Sequence, residues 1–504
     1  MNILRTKTVE QTLAEADEGE HKLKRELSAL DLMVFGIGII IGTGIFVLTG
    51  IAAATKAGPA IVLSFVISGI TCAFAALCYA EFASSVPVAG STYTFAYASL
   101  GEFIAWIIGW DLLLEVVVGA SAVSVSWGKY FNTILHYIGI QLPAAITGGK
   151  PILFGLPINL LATLVAILLT IVVTIGIRES ARFNLIVTSM KLSVVIFFII
   201  FGIFFIKFAN WIPFIPPPGP APHAANAAAG SGALEQPLIS LIFGQQSAFG
   251  FQGIISGAAV VFFAYIGFEV VSTTAEETRN PQRDMPIGIL GSLIVCTVLY
   301  IAVSLILTGM VSYKQLNTEA PMATAFALVG QGWAAVLVSI GAVCGLTSVI
   351  MVQLLGASRV FFAMSRDHLL PPWFSRTHPR FQTPYRINII IGVLVALIAT
   401  VTPIQELADL VNFGTLLAFI LICIAVIVLR RTNPDLKRSF RVPLVPLIPI
   451  LAVLLCTYLL FSLPVVTWIR FVIWLVIGCI VYFLYSVHAS RLATEPNKSA
   501  AKAS

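Results

Sequence analysis

Long apolar runs, separated by short polar or proline-containing segments, repeat along nearly the whole chain. A helix that crosses the hydrocarbon layer of a bilayer needs about 20 predominantly apolar residues. Runs of this kind predict twelve helices, over residues 31–53, 59–86, 101–131, 157–177, 182–208, 249–275, 286–311, 323–357, 386–402, 404–430, 444–462 and 467–488. The pattern therefore predicts an all-α membrane protein with twelve transmembrane helices.

The segments outside these runs predict tails and loops. Residues 1–30 mix acidic and basic side chains without an uncharged apolar core, which is typical of a cytoplasmic tail and not of a signal peptide. Residues 489–504 are expected to form a second cytoplasmic tail. The Pro-, Ala- and Gly-rich residues 211–236 predict an extramembrane loop without a fixed fold. The run at 323–357 is long enough for a short extracellular helix to precede the span.

Composition and charge agree with a bilayer as the solvent. The chain is 58% hydrophobic and only 10% charged, whereas soluble domains carry about 25% charged residues. With the amino terminus inside, 22 of the 29 Lys and Arg residues fall in segments predicted to be cytoplasmic and six fall outside. The net charge of +6 is therefore a topology signal. It predicts cytoplasmic termini in the cytoplasmic (inner) membrane and argues against nucleic acid as a partner.

The residue types that carry most enzyme chemistry are scattered. The seven cysteines lie singly in apolar runs, and the six histidines lie in tails, loops or the ends of runs. We therefore expect no metal site, no catalytic residues and no cofactor. A channel is also disfavoured, because channels use repeated pore motifs or rings of like charge.

The first predicted span is rich in glycine, with Gly36, Gly38, Gly42 and Gly44 in close succession. Each interior glycine costs a helix about 1 kcal/mol relative to alanine, so this density favours local unwinding. Close helix packing through Gly38 and Gly42 is an alternative interpretation. A dinucleotide-binding motif is excluded by the glycine spacing and by the lack of a preceding strand.

The sixth predicted span places Gly267 beside Glu269 in the middle of the membrane. Interrupted helices at corresponding positions of two halves are a sequence sign of a transporter site. The exposed N–H end of a broken helix attracts an anion, and its carbonyl end attracts a cation. An α-amino acid carries both charges, so the two breaks together predict an L-amino acid as substrate.

Four motifs connect the chain to a known family. They are FFAYIGFEVVSTTAEETRNPQRDMP (262–286), IGIIIGTGIF (37–46), PVAGSTYTFAYASLGE (87–102) and FFAMSRDHLLP (361–371). Through them the chain resembles the amino acid–polyamine–organocation superfamily, specifically its cationic amino acid transporter family in the bacterial twelve-helix form. The resemblance implies a LeuT-type fold of two inverted five-helix repeats, at about 31–208 and 249–430, followed by two further helices at 444–488.

The resemblance also implies which groups bind the substrate. The backbone N–H groups that would bind its carboxylate lie around Ile40, Gly42, Thr43 and Gly44. The carbonyls that would bind its ammonium belong to Phe263, Ala264 and Ile266, with the Phe263 ring closing over the site. Relatives usually carry Asp where this chain has Glu269, which keeps the charge but moves it by about one methylene.

Several charged residues lie inside or at the ends of predicted spans. Lys191 follows Arg182 by about nine residues, or about 14 Å of helix, which places it near mid-bilayer. Burial favours loss of a lysine's proton, and the resemblance implies a proton-coupling lysine where sodium-driven relatives hold an ion. A structural ion pair is the alternative. Glu115 is its expected partner, and Asp111 shares the Glu115 face.

Glu269 and Glu81 are two further carboxylates in the predicted spans. Glu269 either passes protons or caps exposed backbone N–H groups, and it joins Lys191 and Glu115 as a predicted proton-coupling residue. Glu81 is expected at the membrane interface.

These features predict a secondary active transporter of L-amino acids that works by alternating access. Proton-coupled symport of a small neutral or cationic amino acid is favoured, and H+ is the predicted driving ion. Amino acid exchange is an alternative, and so is sodium-coupled symport, which the adjacent hydroxyls of Thr347 and Ser348 would serve. No acidic residue is clearly placed for a cationic side chain, which favours an alanine-like substrate. A small membrane subunit or a specific lipid remains open as a partner.

Overall fold

The computed structural model describes residues 5, 26–86, 91–153, 156–176, 181–219, 233–243, 248–376, 378, 383–436 and 438–490. Most of the two predicted tails lies outside the described residues, as do residues 220–232 of the predicted loop.

Helices account for most of the described chain, and the α-helices of at least six residues are numbered here in chain order. They are α1 (Ala29–Ile40), α2 (Ile61–Ser85), α3 (Ser91–Ser99), α4 (Glu102–Tyr137), α5 (Leu160–Ile175), α6 (Ala181–Gly202), α7 (Leu238–Phe243), α8 (Gly250–Val261), α9 (Pro281–Met310), α10 (Pro321–Leu328), α11 (Gly332–Arg366), α12 (Tyr385–Val401), α13 (Ile404–Thr432), α14 (Leu447–Phe461) and α15 (Val465–Val481). Shorter π, 3₁₀ and α turns extend α1, α8 and α15.

Eight stretches of helix in the described chain are long and apolar enough to cross a membrane. They are Gly44–Ser85, Glu102–Tyr137, Leu185–Phe205, Gly250–Ala275, Pro281–Met310, Gly332–Arg366, Ile404–Thr432 and Val465–Ala489. Helices α1, α5, α12 and α14 are apolar but shorter. The stretch Gly44–Ser85 includes the end of the predicted span 31–53 and nearly all of the predicted span 59–86. The two parts meet at Gly58, where φ is 62°. The chain is thus a multi-pass helical membrane protein.

The interior of the bundle forms where α4 packs against α11 and α13, and where α9 packs against α1 and α2. Large aromatic side chains fill it, with Trp106 and Tyr79 fully buried. Leucine and isoleucine side chains of α5, α6, α12 and α15 instead point outward and are exposed. Such an apolar outer surface suits lipid and not water.

Helix α1 begins two residues earlier than predicted. Ser28 and Asp31 form a capping box, in which the Asp31 carboxylate accepts the Ser28 N–H at 2.9 Å and the Ser28 hydroxyl accepts the Asp31 N–H. This reciprocal pairing satisfies N–H groups that the first turn of a helix leaves open.

A β-hairpin that the sequence analysis did not predict lies between α4 and α5. Strands β1 (Thr147–Leu153) and β2 (Leu156–Asn159) pair antiparallel. Asn159 then caps α5, because its side chain accepts the Ala162 N–H. The hairpin explains why the helix starts at Leu160 and not at 157.

The prediction that residues 211–236 lack a fixed fold is wrong for the described residues 211–219. Residues up to 219 are held by backbone hydrogen bonds, from Gly219 N to Ala248 O at 3.0 Å and from Gly250 N to Pro216 O at 2.9 Å. The short helix expected before the 323–357 span is present as α10.

Glu81, expected at the membrane interface, is buried inside the protein, with 3% of its surface exposed. Its carboxylate pairs with Arg430 at 2.6 Å and with Arg438 at 3.4 Å, and it accepts the Val442 N–H at 2.7 Å. Three partners offset the cost of taking this charge out of water.

Candidate substrate site

The first predicted span is interrupted at the glycine-rich segment. Helix α1 ends at Ile40, and Ile41 is extended, with φ −72° and ψ 96°. The chain becomes helical again at Thr43 and continues as a π-helix from Gly44 to Leu48. The first N–H groups of a restarted helix have no partners within it. The break therefore aims several backbone donors at one point deep in the bundle.

The sixth predicted span is interrupted as well. Helix α8 passes into a 3₁₀ turn at 262–265, Ile266 is extended, and Gly267 has a φ of 124°. Only glycine adopts this conformation without strain. A second 3₁₀ segment then starts at Glu269, whose two carboxylate oxygens both accept the Gly267 N–H, at 3.0 and 2.9 Å. The second break thus carries its own carboxyl group.

The two breaks are in direct contact. A Cβ placed on Gly44 would overlap the backbone and side chain of Ala264. A Cβ placed on Gly267 would lie 2.5 Å from the Cγ2 of Ile39. Glycine at both positions therefore allows the backbones of the two interrupted helices to lie in direct contact.

Tyr300 of α9 joins the two breaks. It is fully buried, and its hydroxyl lies 2.7 Å from the carbonyl oxygen of Ile40 and 2.8 Å from that of Ala264. The sequence analysis missed this residue, because a tyrosine in an apolar run gives no local sign of what its hydroxyl contacts.

All seven residues predicted to bind substrate lie at the two breaks. They are Ile40, Gly42, Thr43, Gly44, Phe263, Ala264 and Ile266. The Thr43 hydroxyl is buried and has no hydrogen-bond partner. A Cβ on Gly42 would fit, at 3.6 Å from the nearest atom of Val349. The Ala264 carbonyl, predicted to bind an ammonium, already faces the Tyr300 hydroxyl. The substrate-binding role of each residue stays a prediction.

Lys191 is completely buried, with 0% of its surface exposed. Its ammonium donates to the carbonyl oxygen of Gly38 at 2.5 Å. Its methylene chain lies against Gly345, where a Cβ would come within 2.8 Å of the lysine Cγ. One side chain of α6 therefore contacts both α1, two residues before the break, and α11.

The hydroxyls proposed as sodium ligands already have partners. The Thr347 hydroxyl donates to Val343 O at 2.8 Å and accepts from the indole N–H of Trp127 at 2.9 Å. The Ser348 hydroxyl donates to Gly345 O at 3.3 Å.

Glu115 lies on α4 and is buried. It lies one helical turn from Asp111, and Glu269 is near enough for its charge to act on Glu115. Its predicted pairing with Lys191 stays a prediction, as do the proton-coupling roles of Lys191, Glu115 and Glu269. The capping role considered for Glu269 is observed.

Gln353 of α11 is a further polar group that sequence reasoning did not single out. Its amide packs against Gly119 of α4, and its Oε1 is buried without a partner. It lies one helical turn from Val349, the side chain that faces Gly42.

Broken helices that meet inside an apolar bundle are the architecture of membrane transporters. The fold and the site therefore define a transporter and not an enzyme. The chain matches the amino acid permease family over residues 27–487 and belongs to that family.

Three relatives show the range of this family. The chain is 47% identical over 498 residues to the branched-chain amino acid permease BcaP of Bacillus subtilis (strain 168), covering 97% of this chain and 99% of that protein. It is 46% identical over 491 residues to the methylthioribose transporter of the same organism, again covering 97% and 99%. It is 37% identical over 435 residues to the vacuolar cationic amino acid transporter 4 of Arabidopsis thaliana, covering 86% and 68%.

Proposed function

We propose that this protein is a secondary active transporter that carries an L-amino acid across the cytoplasmic membrane, with both termini on the cytoplasmic side. The proposal includes twelve membrane-spanning helices in a LeuT-type arrangement, with repeats at about 31–208 and 249–430. The contact between the two interrupted helices carries the proposal, because it brings bare backbone donors and acceptors together inside the bundle.

A zwitterion suits these groups. The N–H groups after the first break attract a carboxylate, and the carbonyls of both breaks attract an ammonium. The second break already holds the Glu269 carboxylate against its Gly267 N–H. The substrate carboxylate is therefore assigned to the first break, around Gly42, Thr43 and Gly44.

Proton coupling is assigned to Lys191. A charged ammonium strengthens a hydrogen bond to a carbonyl. The Lys191 ammonium donates to the carbonyl oxygen of Gly38, two residues before α1 ends at the first break. Loss of its proton weakens the link between α6 and α1 and favours another arrangement of the break. Each charge that moves down 100 mV supplies about 2.3 kcal/mol, enough for a roughly 50-fold substrate gradient.

The substrate class is tested with purified protein in proteoliposomes. Uptake of labelled alanine is measured against competition by the twenty amino acids and by methylthioribose, the cargo named for one relative. We expect one or a few small neutral amino acids to compete. Absence of alanine uptake together with uptake of labelled methylthioribose would show that the substrate is a sugar derivative and that the proposed class is wrong.

Lys191→Ala tests the coupling. We expect the variant to lose accumulation driven by a pH gradient while substrate counterflow, which needs no net proton movement, persists. Accumulation with unchanged pH dependence would exclude the role. Replacement of sodium by potassium in the same assay tests sodium coupling, and efflux that requires external amino acid would reveal exchange.

A further inference from the structure

Asp111 of α4 is a carboxyl group for which the fold provides no hydrogen bond. Only 2% of its surface is exposed, and both of its carboxyl oxygens lack a hydrogen-bond partner. It packs against α13, where a Cβ on Gly414 would lie 2.5 Å from its Oδ1. An ionised carboxylate without partners in an apolar interior is very costly, and the neutral acid costs much less.

The ionisable group on which Asp111 acts is Glu115, one helical turn further along α4. Four residues of helix correspond to about 6 Å. Glu115 is buried, its Oε2 has no hydrogen-bond partner, and the charge of Glu269 acts on it as well. Asp111 and Glu115 share one face of α4, and Glu269 at the second break is near enough to act on Glu115, so these three carboxyls are named here the acidic row.

Among the described residues, other elements place the following ionisable or polar groups near the acidic row. From α2, the Tyr79 hydroxyl lies near Glu269 and Glu115 and hydrogen-bonds with Thr92 at 2.8 Å, and the Cys72 thiol lies near Glu269. From α13, the Thr415 hydroxyl lies near Glu115 and donates to the carbonyl oxygen of Val411 at 3.0 Å. Neighbouring carboxyls that act on one another cannot all be ionised at low cost, so such a row holds protons.

We propose that Asp111 is a proton-binding group of the transport cycle, which exchanges its proton with Glu115 along the acidic row. The proton leaves the Asp111 carboxylic acid and is accepted by the Glu115 carboxylate, directly or through one water. Asp111 then becomes the anion until water returns a proton to it. This role rests on the proposed proton coupling and adds a second proton site to Lys191.

A structural role for Asp111 would require satisfied oxygens, as at Glu81, which has three partners. Asp111 instead has the features of a group that changes its protonation state. It is buried, it lacks partners that would fix its charge, and it lies one turn from another carboxyl.

The test uses Asp111→Asn in full-length protein in proteoliposomes, with Ser126→Ala of the same helix as the matched control. The asparagine keeps the shape but cannot release a proton. With a gradient of one pH unit, a carrier of one proton per substrate accumulates substrate about tenfold. We expect wild type and control to reach this level, and Asp111→Asn to fall to equilibration while its counterflow stays within about twofold of wild type. Unchanged accumulation with an unchanged pH profile would overturn the proposal.

If Asp111→Asn no longer transports, infrared difference spectroscopy of the purified protein still tests the proposal. A protonated carboxyl gives a distinct C=O stretching band, and the loss of one band in Asp111→Asn supports the proposal. If every such band persists, or if sodium restores accumulation to the variant, the proposal is wrong. A wild type without pH-driven accumulation would instead remove the proposed proton coupling, and the infrared band would still report whether Asp111 holds a proton.

Discussion

The two helix breaks of this transporter differ in how their backbone groups are satisfied. The first break, at Ile41 and Gly42, is bordered by glycines and carries no side-chain anion. The second break has Glu269 two residues after Gly267, and that carboxylate accepts the freed N–H with both oxygens.

This difference assigns different parts of the ligand to the two breaks. An anion bound at the second break would meet the negative charge of Glu269, so a substrate carboxylate is directed to the first break. Both breaks offer carbonyls, from Ile40 and Ala264, and these are the atoms that Tyr300 holds together. Substitutions at three residues, Gly44, Tyr300 and Glu269, test this difference between the breaks.

Gly44→Ala is expected to have the largest effect. Its Cβ would overlap Ala264, so the two breaks must move apart and the backbone donors lose their alignment. We expect substrate binding, measured by isothermal titration, to weaken by at least about 2 kcal/mol, or roughly 30-fold.

Gly356→Ala is the control for this substitution, because nothing lies within 4 Å of its added Cβ. It should bind as wild type does. Near-normal binding by Gly44→Ala would show that the contact between the breaks does not shape the site.

Tyr300→Phe should have an intermediate effect. It removes the hydroxyl shared by Ile40 O and Ala264 O and leaves two buried carbonyls without that donor. We expect about 1–3 kcal/mol of destabilisation, seen as a lower melting temperature in detergent.

If the proposed site is right, a substrate ammonium donates to the same carbonyls, and substrate binding should recover part of this stability in Tyr300→Phe. An equal melting shift by substrate in wild type and variant would argue that the ammonium binds elsewhere.

Glu269→Gln should have the smallest effect on binding. The amide oxygen still accepts the Gly267 N–H, so affinity is expected to stay within about 1 kcal/mol of wild type. Glu269→Ala, which leaves that N–H unsatisfied, should be less stable than Glu269→Gln by about 1–3 kcal/mol. Equal stability of the two variants would contradict a capping role.

Much of this site could be predicted from local sequence. Glycine density at 36–44 and the Gly267–Glu269 pair predicted both breaks, because helix propensity and backbone freedom are properties of short segments. The rise of a helix predicted Lys191 deep within a span, and its side chain is completely buried in the protein. Its contact with the Gly38 carbonyl did not, since nothing local to either residue reports the other.

The missed features depend on contacts between distant parts of the chain. Tyr300, Gln353 and the three-partner site of Glu81 all involve residues far apart in sequence. The hairpin at 147–159 was missed for another reason, because its strands are short, glycine- and proline-containing and lie between two strong helical runs.

The phenol oxygen of Tyr300 carries a single hydrogen atom, yet two carbonyl oxygens lie within 2.8 Å of it. At any instant the hydrogen points to one carbonyl, and the other keeps its lone pairs unclaimed. Rotation of the O–H bond exchanges the two without moving a heavy atom. The vacant acceptor alternates between the two helix breaks, so an ammonium proposed to bind there would meet an open oxygen whichever way the hydrogen has turned.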